Sequence, residues 1–418
     1  MNCRHCKTEL KHVFVDLINC PPSNAMLKKE QLNEPEKYYP LKIFVCEECY
    51  LVQVDEIAKA NEIFDGEYTY FSSYSTSWLA HAKRYVDMMM ERFKFNNASQ
   101  VIEIASNDGY LLQYFKEYGV PVLGVDPTAN TAAVAKEKGI DTIVDFFGAK
   151  LATEKLVFSG IKGDLILGNN VLAHVPDIND LVKGIKLALN DKGVVTMEFP
   201  HLLKLVEECQ FDTIYHEHFS YLSFTTVKRI FESQGLEMFD VQEIPTHGGS
   251  LRIFAKHKDD ASKEISTNVE NLIQKEERAG VTTLDYYLNF QERVDEIKYD
   301  LWDFLIEQKR KGKKVIGYGA AAKGNTLFNY AAVKGNDLIQ FVVDASPYKQ
   351  NKFLPGSHIP VVSKEMIAEY KPDYIIILPW NLKEEISEQF SYIDEWGGQF
   401  VVFVPSRKVF SKKTAVLS

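Results

Sequence analysis

Two short cysteine pairs stand near the start of the chain, Cys3-Arg4-His5-Cys6 and Cys46-Glu47-Glu48-Cys49. Two residues between cysteines let a tight turn aim both sulfurs at one ion, and two such turns supply four thiolates for a tetrahedral zinc. A closed four-sulfur site leaves no coordination position for a substrate, so the zinc expected on Cys3, Cys6, Cys46 and Cys49 is structural. Neither pair opens a helix after a strand, which argues against a redox dithiol. Cys20 and Cys209 read as ordinary buried or half-buried thiols. A second concentration of reactive side chains is Tyr215-His216-Glu217-His218. On a strand, H-x-H would put both rings on one face, so a metal pair, ordinary hydrogen-bonded histidines and a proton-transfer site are all open readings. A third is Glu103-Ile104-Ala105-Ser106-Asn107-Asp108-Gly109, followed twenty residues on by Asp126-Pro127.

That third segment needs a particular scaffold. From about residue 98 the pattern alternates: VIEIA as strand, YLLQYFKEYG as helix, VLGVD as strand, TANTAAVAKEKG as helix, then DLILGN and GVVTMEF as further apolar runs. Alternation of this kind builds a doubly wound parallel sheet. A helix near 225–234 and two strands, FDVQEI and SLRIFAKH, joined by PTHGG, finish it with an antiparallel hairpin. Ligands of such sheets sit outside the carboxyl ends of the strands, where the E-I-A-S-N-D-G loop falls, and an acid ending the second strand can accept from both ribose hydroxyls. The loop has one glycine, too few for close approach to a pyrophosphate. S-adenosylmethionine has no phosphate and carries a sulfonium cation, which suits a carboxylate-bearing loop. The expected cofactor contacts are Glu103, Ala105, Asn107, Gly109, Tyr110, Leu111, Asp126, Pro127 and Asn169.

Residues from about 260 to 310 read as a charged helical connector. From Lys313 a second α/β unit begins with KVIGYG, a helix, LIQFVVD, YIIILPW and FVVFVP. Gly317-Tyr318-Gly319-Ala320-Ala321-Ala322 fits G-x-G-x-x-A after a strand, and Asp344 ends a later strand, a formal dinucleotide fingerprint. It supports a competing reading, an NAD-dependent sugar-nucleotide oxidoreductase. Lys323 and the helix start equally suit the phosphates of any nucleotide. The expected division is a zinc-binding module and aromatic loop at 1–75, a methyl-donor domain at 76–258, and a connector with a Rossmann-like domain at 259–418.

A net charge of -10 argues against a broad nucleic-acid-binding face. No run reaches the roughly 18 apolar residues of a membrane helix, and MNCRHCKTEL has no apolar segment of secretory type. The expectation is a cytoplasmic protein with reduced thiols.

Several of these motifs together resemble the nucleotide-sugar C-methyltransferases of deoxysugar pathways, over nearly the whole chain. They are the two C-x-x-C pairs, the A-S-N-D-G loop, N-N-V-L-A-H at 169–174, E-F-P-H at 198–201, Y-H-E-H at 215–218, G-Y-G-A-A-A-K-G-N-T-L at 317–327, and V-D-A-S-P-Y-K-Q with L-P-G-S-H-I-P beyond it. The resemblance implies proton removal beside the ketone of a nucleotide-linked 4-keto sugar, at C-3' or next most readily C-5', with the enolate attacking the methyl group. It implies His218 as the base, with Glu217 and Tyr215 binding the sugar or orienting neighbours. Asn170 and His174 would face the same cavity and Tyr70 would close it. Lys323 and Asn325 would touch the substrate, and the protein would be a monomer. His81, His201 and His247 could belong to the site, though the ordinary reading of each as a hydrogen-bonded histidine is preferred.

Overall fold

A computed structural model describes residues 1–55 and 71–412. Tyr70, expected to close the cavity, lies outside the described residues. The chain divides into two compact units built from alternating segments. The first holds Met1–Lys11, Cys46–Leu203 and Phe219–Leu284; the second holds His12–Val45, Lys204–His218 and Asp285–Ser418. Contacts therefore cut the chain differently from the contiguous ranges 1–75, 76–258 and 259–418, which follow changes in local pattern.

In the first unit, α1 (Thr76–Phe93) starts where Ser75 Oγ accepts the Trp78 N–H, and stops where Lys94 turns left-handed at φ 59°. Its buried residues Ala82, Tyr85, Val86 and Met89 recur at helical spacing and pack on Val101, Phe115, Leu165 and Phe254. Among the described residues, seven strands form the sheet: β1 (Val101–Ile104), β2 (Val122–Val125), β3 (Thr142–Ile143), β4 (Gly163–Asn169), β5 (Leu189–Pro200), β6 (Leu236–Ile244) and β7 (Ser250–His257). Their order is β6-β7-β5-β4-β1-β2-β3, parallel except for β7, which runs antiparallel to both neighbours. Parallel central strands are covered on both faces, which is why all four residues of β1 are buried. The helices between strands are α2 (Leu112–Glu117), α3 (Ala129–Glu137) and α4 (Ile178–Ala188), and α5 (Phe224–Ser233) precedes β6. The last hairpin is the one read from FDVQEI and SLRIFAKH. The two residues of β3 are too few to show a period, and it was not anticipated. This is the sheet of class I methyltransferases.

The connector is helical as read, with α6 (Thr267–Ala279) in the first unit and α7 (Phe290–Arg310) in the second. The second unit's sheet has β8 (Val315–Tyr318), β9 (Val342–Val343), β10 (Val361–Val362), β11 (Tyr374–Ile377), β12 (Gln399–Val402) and β13 (Lys408–Phe410). Their order is β10-β9-β8-β11-β12-β13, all parallel but the last pair. The run LIQFVVD gives only two strand residues, because pairing is confined to Val342 and Val343. After β8 comes α8 (Ala322–Tyr330). A Cβ on Gly324 would lie 2.6 Å from Leu378 Cδ1, so that glycine serves helix-on-sheet packing. The same unit contains an antiparallel hairpin, His12–Cys20 with Tyr39–Val45, which the sequence did not announce.

Candidate active site

The cysteine turns are alike in backbone. Lys7 N–H bonds Cys3 carbonyl and Tyr50 N–H bonds Cys46 carbonyl, with Lys7 and Tyr50 both left-handed at φ 66° and 58°. The sulfurs of Cys3, Cys6, Cys46 and Cys49 all lie within 4.8 Å of one another, with 3.5 Å from Cys3 to Cys49 and from Cys6 to Cys46. Zn–S bonds of about 2.3 Å in a tetrahedron imply sulfur separations of roughly 3.8 Å, so the four fit a zinc ion. Gln53 Nε2 donates to Cys3 Sγ at 3.3 Å, a hydrogen bond that would steady a thiolate ligand.

At the carboxyl edge of the first unit's sheet, the loop after β1 places Ala105, Asn107 and Gly109 at φ 56°, 50° and 73°. Three alternating left-handed residues, two of them not glycine, curl the backbone into a cradle between strand and helix. A Cβ on Gly109 would come 2.6 Å from Ile140 Cδ1, so glycine is required there twice over. Asp126, at the end of β2, accepts the Asn107 N–H at 2.8 Å and the Thr128 N–H at 2.9 Å. Pro127 follows it and breaks off the strand. Glu103 is fully buried; burial, then the nearby Asp126 and Asp108 charges, push its carboxyl well above the usual range. Leu111 is buried at the start of α2, and Tyr110 hydroxyl accepts from Asn169 Nδ2 at 3.4 Å. The segment before α1 is tied to this loop: Ser72 N–H bonds Asn107 Oδ1 at 2.9 Å, and Ser73 Oγ bonds Asp108. The expected cofactor residues Glu103, Ala105, Asn107, Gly109, Tyr110, Leu111, Asp126, Pro127 and Asn169 thus gather at one edge. It carries carboxylates and a cradle without pyrophosphate glycines, which fits a sulfonium-bearing nucleoside.

The same edge holds residues that the sequence reading named without giving them a role. Glu198, ending β5, is fully buried and bonds His81 Nε2 at 3.0 Å, Arg252 at 3.0 Å and Thr246 Oγ1 at 3.1 Å. Burial opposes its charge, but His81 and Arg252 hold its carboxyl below the usual range. His247, in the β6–β7 turn, lies 2.9 Å from Asn170 Nδ2, and Trp78 stacks on His81 with centroids 4.9 Å apart. The sequence signal was E-F-P-H itself, whose glutamate ends a strand. His201 is structural: its Nε2 bonds Glu276 at 2.6 Å, and Glu276 also takes the N–H groups of Phe224 and Thr225 at the start of α5. His174 ends a short turn, Leu172–His174, and the Ala173 carbonyl there accepts the Phe219 N–H at 2.8 Å.

In the second unit, His218 is buried, with Nδ1 2.9 Å from the Thr213 carbonyl and Nε2 2.9 Å from the Tyr215 hydroxyl. A carbonyl can only accept, so Nδ1 carries the proton and Nε2 presents its lone pair, to which Tyr215 donates. Glu217 accepts from Asn24 Nδ2 at 3.1 Å, and burial raises its carboxyl above the usual range. His216 instead faces the Pro40 carbonyl at 3.2 Å, and burial lowers its basicity. Tyr215 and His218 therefore form a pair, Glu217 is tied to Asn24, and His216 holds the hairpin. Asn24 was not foreseen, because nothing local links residue 24 to 217.

Near α8, Thr326 Oγ1 bonds the Ile214 carbonyl and Asn325 Nδ2 bonds the Ser23 carbonyl, at 2.8 and 2.6 Å. Lys323 donates to Asn381 at 2.7 Å and lies over the Trp380 ring. Burial lowers its basicity, and burial pushes Asp212, which accepts from Trp380 Nε1, up to about 6. Asp344 accepts the N–H groups of Ala320 and Ser346 at 2.7 and 2.8 Å, so the fingerprint's acid closes its own loop.

Family models match along the chain: "Putative zinc binding domain" over 3–64, "Methyltransferase domain" over 78–241, and "C-methyltransferase C-terminal domain" over 245–405. The C-methyltransferase NovU of Streptomyces niveus is 33% identical over 414 residues, covering 99% of this chain and 98% of that protein. A ubiquinone biosynthesis O-methyltransferase of Bartonella bacilliformis is 23% identical over 134 residues, 31% of this chain and 54% of its own length. Among solved structures, the PH0226 protein of Pyrococcus horikoshii OT3 aligns with TM-score 0.37 at 16% identity, over 46% of this chain and 95% of that one. Magnesium protoporphyrin IX methyltransferase of Synechocystis PCC 6803 with bound SAH gives 0.35 at 14%, over 47% and 90%.

Proposed function

Because this chain belongs to the C-methyltransferase family, and is an S-adenosylmethionine-dependent C-methyltransferase, we propose that its acceptor is a 4-keto deoxysugar carried on a nucleoside diphosphate, methylated at C-3'. The observation that carries this reading is the Thr213 carbonyl 2.9 Å from His218 Nδ1, which assigns the tautomer. The Nδ1–H is committed to that carbonyl, which leaves Nε2 as a base. Carbon methylation needs such a group, since a C–H proton must leave before carbon is nucleophilic; a heteroatom acceptor already has a lone pair. In this reading Nε2 removes the proton from the carbon beside the ketone, and Tyr215 yields the lone pair as the acceptor arrives. Glu217, held by Asn24, binds the sugar or orients its neighbours in this reading. As the resemblance implies, Asn170, His174 and Tyr70 would serve the acceptor's sugar, and Lys323 and Asn325 its nucleotide. When bound, S-adenosylmethionine would supply an electrophilic methyl group. Glu103, Ala105, Asn107, Gly109, Tyr110, Leu111, Asp126, Pro127 and Asn169 would hold it. The zinc on Cys3, Cys6, Cys46 and Cys49 would be structural.

The reading keeps the enzyme in the cytoplasm, as a monomer, where reducing conditions preserve four thiolates for zinc. No helix among the described residues is long and apolar enough to cross a membrane. The test is mass spectrometry and NMR of dTDP-, CDP- and GDP-linked 4-keto sugars incubated with the protein and the methyl donor. The reading expects one methyl gained on carbon at C-3'. A methyl on oxygen, or on no keto-sugar nucleotide, would overturn it.

A further inference from the structure

Asn170 and His247 face each other across the carboxyl edge of the first unit's sheet, both left-handed, at φ 54° and 55°. Left-handed backbone away from glycine costs about 1–2 kcal/mol per residue and gathers at ligand sites. Asn170 follows β4, and its own N–H is fixed by the Glu198 carbonyl at 2.7 Å. Its Nδ2 donates to His247 Nε2 at 2.9 Å, so the other half of the amide, Oδ1, is turned away from that ring. Oδ1 is buried and has no hydrogen-bond partner among the described residues. A buried acceptor left empty is costly, and a ligand could recover that cost. The setting favours a cation. Asp108, Asp126 and Glu198 stand at this edge against Lys138 and Arg252. Trp78 adds ring faces, with its centroid 5.4 Å from His247 and 6.1 Å from Tyr110.

We propose that His247 is a positioning residue: it locks the Asn170 amide so that Oδ1 receives the cationic sulfonium end of the methyl donor. Glu198 completes the device by holding the turn through Thr246. The proposal rests on the methyl-donor reading alone and is independent of which sugar is the acceptor.

The test is calorimetric titration of the full chain with S-adenosylmethionine and with S-adenosylhomocysteine, which lacks the cation and the methyl group. His247→Asn keeps a residue tolerant of left-handed backbone but shortens the side chain beyond reach of the amide. Asn170→Gly keeps the backbone and removes the acceptor. In each variant the affinity ratio of S-adenosylmethionine to S-adenosylhomocysteine should fall about tenfold, through loss of one contact between the amide dipole and the sulfonium charge. The double variant should fall no further than Asn170→Gly, because both act through one amide. Melting temperatures should stay close to the parent's. An unchanged ratio in His247→Asn, or equal weakening of both ligands, would overturn the proposal. Failure of the parent chain to bind either ligand would overturn the methyl-donor reading with it; failure to methylate a sugar would touch only the acceptor reading.

Discussion

His218 owes its basic nitrogen to a backbone carbonyl. Thr213 fixes the tautomer and Tyr215 caps the lone pair until it is needed, so the base is set by residues three and five positions away. Replacing it, His218→Ala, should lower turnover by about 10²–10⁴ and leave the affinity for S-adenosylhomocysteine nearly unchanged, as kinetics and calorimetry would show. The cofactor loop gives a second contrast. Ala105→Gly should shift stability by no more than about 1 kcal/mol, since relief of left-handed strain offsets the freedom gained in the unfolded chain. Gly109→Ala should cost roughly 2 kcal/mol or more, because its Cβ meets Ile140 in a backbone that disfavours any side chain. Thermal melts of the two variants decide this. At this scale the sequence singled out segments where polar side chains gather, as in Tyr215–His218. Asn24 was hidden, and Glu198 and His247 were named without a role, because their partners lie far along the chain. The left-handed turn at Ala105 and Asn107 was hidden because neither residue type signals it.

At the scale of elements, the paired cysteine turns brace the start of the first unit. Thr226 Oγ1 bonds the Cys49 carbonyl and Arg229 bonds the Glu48 carbonyl, so α5 rests directly on the second turn. Cys49→Ser should therefore reduce bound zinc, read by metal analysis, and lower the melting temperature. The protein that remains folded should keep its methyl-donor affinity, since a closed thiolate site does no chemistry. In the second unit, Asp212 tests burial beside α8. Its carboxyl is raised to about 6, so the sign is opposite to that of a salt-bridged acid. Its contribution is full below the unfolded value of about 4 and is lost as pH rises through about 6. Asp212→Asn should flatten that part of the stability profile, on the order of 2 kcal/mol between pH roughly 4 and 7, in chemical denaturation across pH. Elements with a strong period or a continuous buried run, such as α1, β1 and the β6–β7 hairpin, were readable. Two-residue strands such as β3 and β9 were not, because only pairing with neighbours defines them.

At the scale of the molecule, the chain passes repeatedly between its two units. Those passages carry Tyr215–His218 in a short excursion, Lys204–His218, between long stretches of the methyl-donor unit. Local patterns cannot report such interleaving, which arises only from long-range contacts, so contiguous domain ranges describe composition better than packing. The central claim is that His218 removes a carbon-bound proton beside a ketone. Its most direct measurement is deuterium loss from a nucleotide-linked 4-keto sugar labelled at C-3', with S-adenosylhomocysteine in place of the methyl donor. The parent chain should wash the label out and His218→Ala should slow this by about 10²–10⁴. Equal rates in the two proteins, or methyl transfer from the natural donor with the label fully retained, would contradict the account.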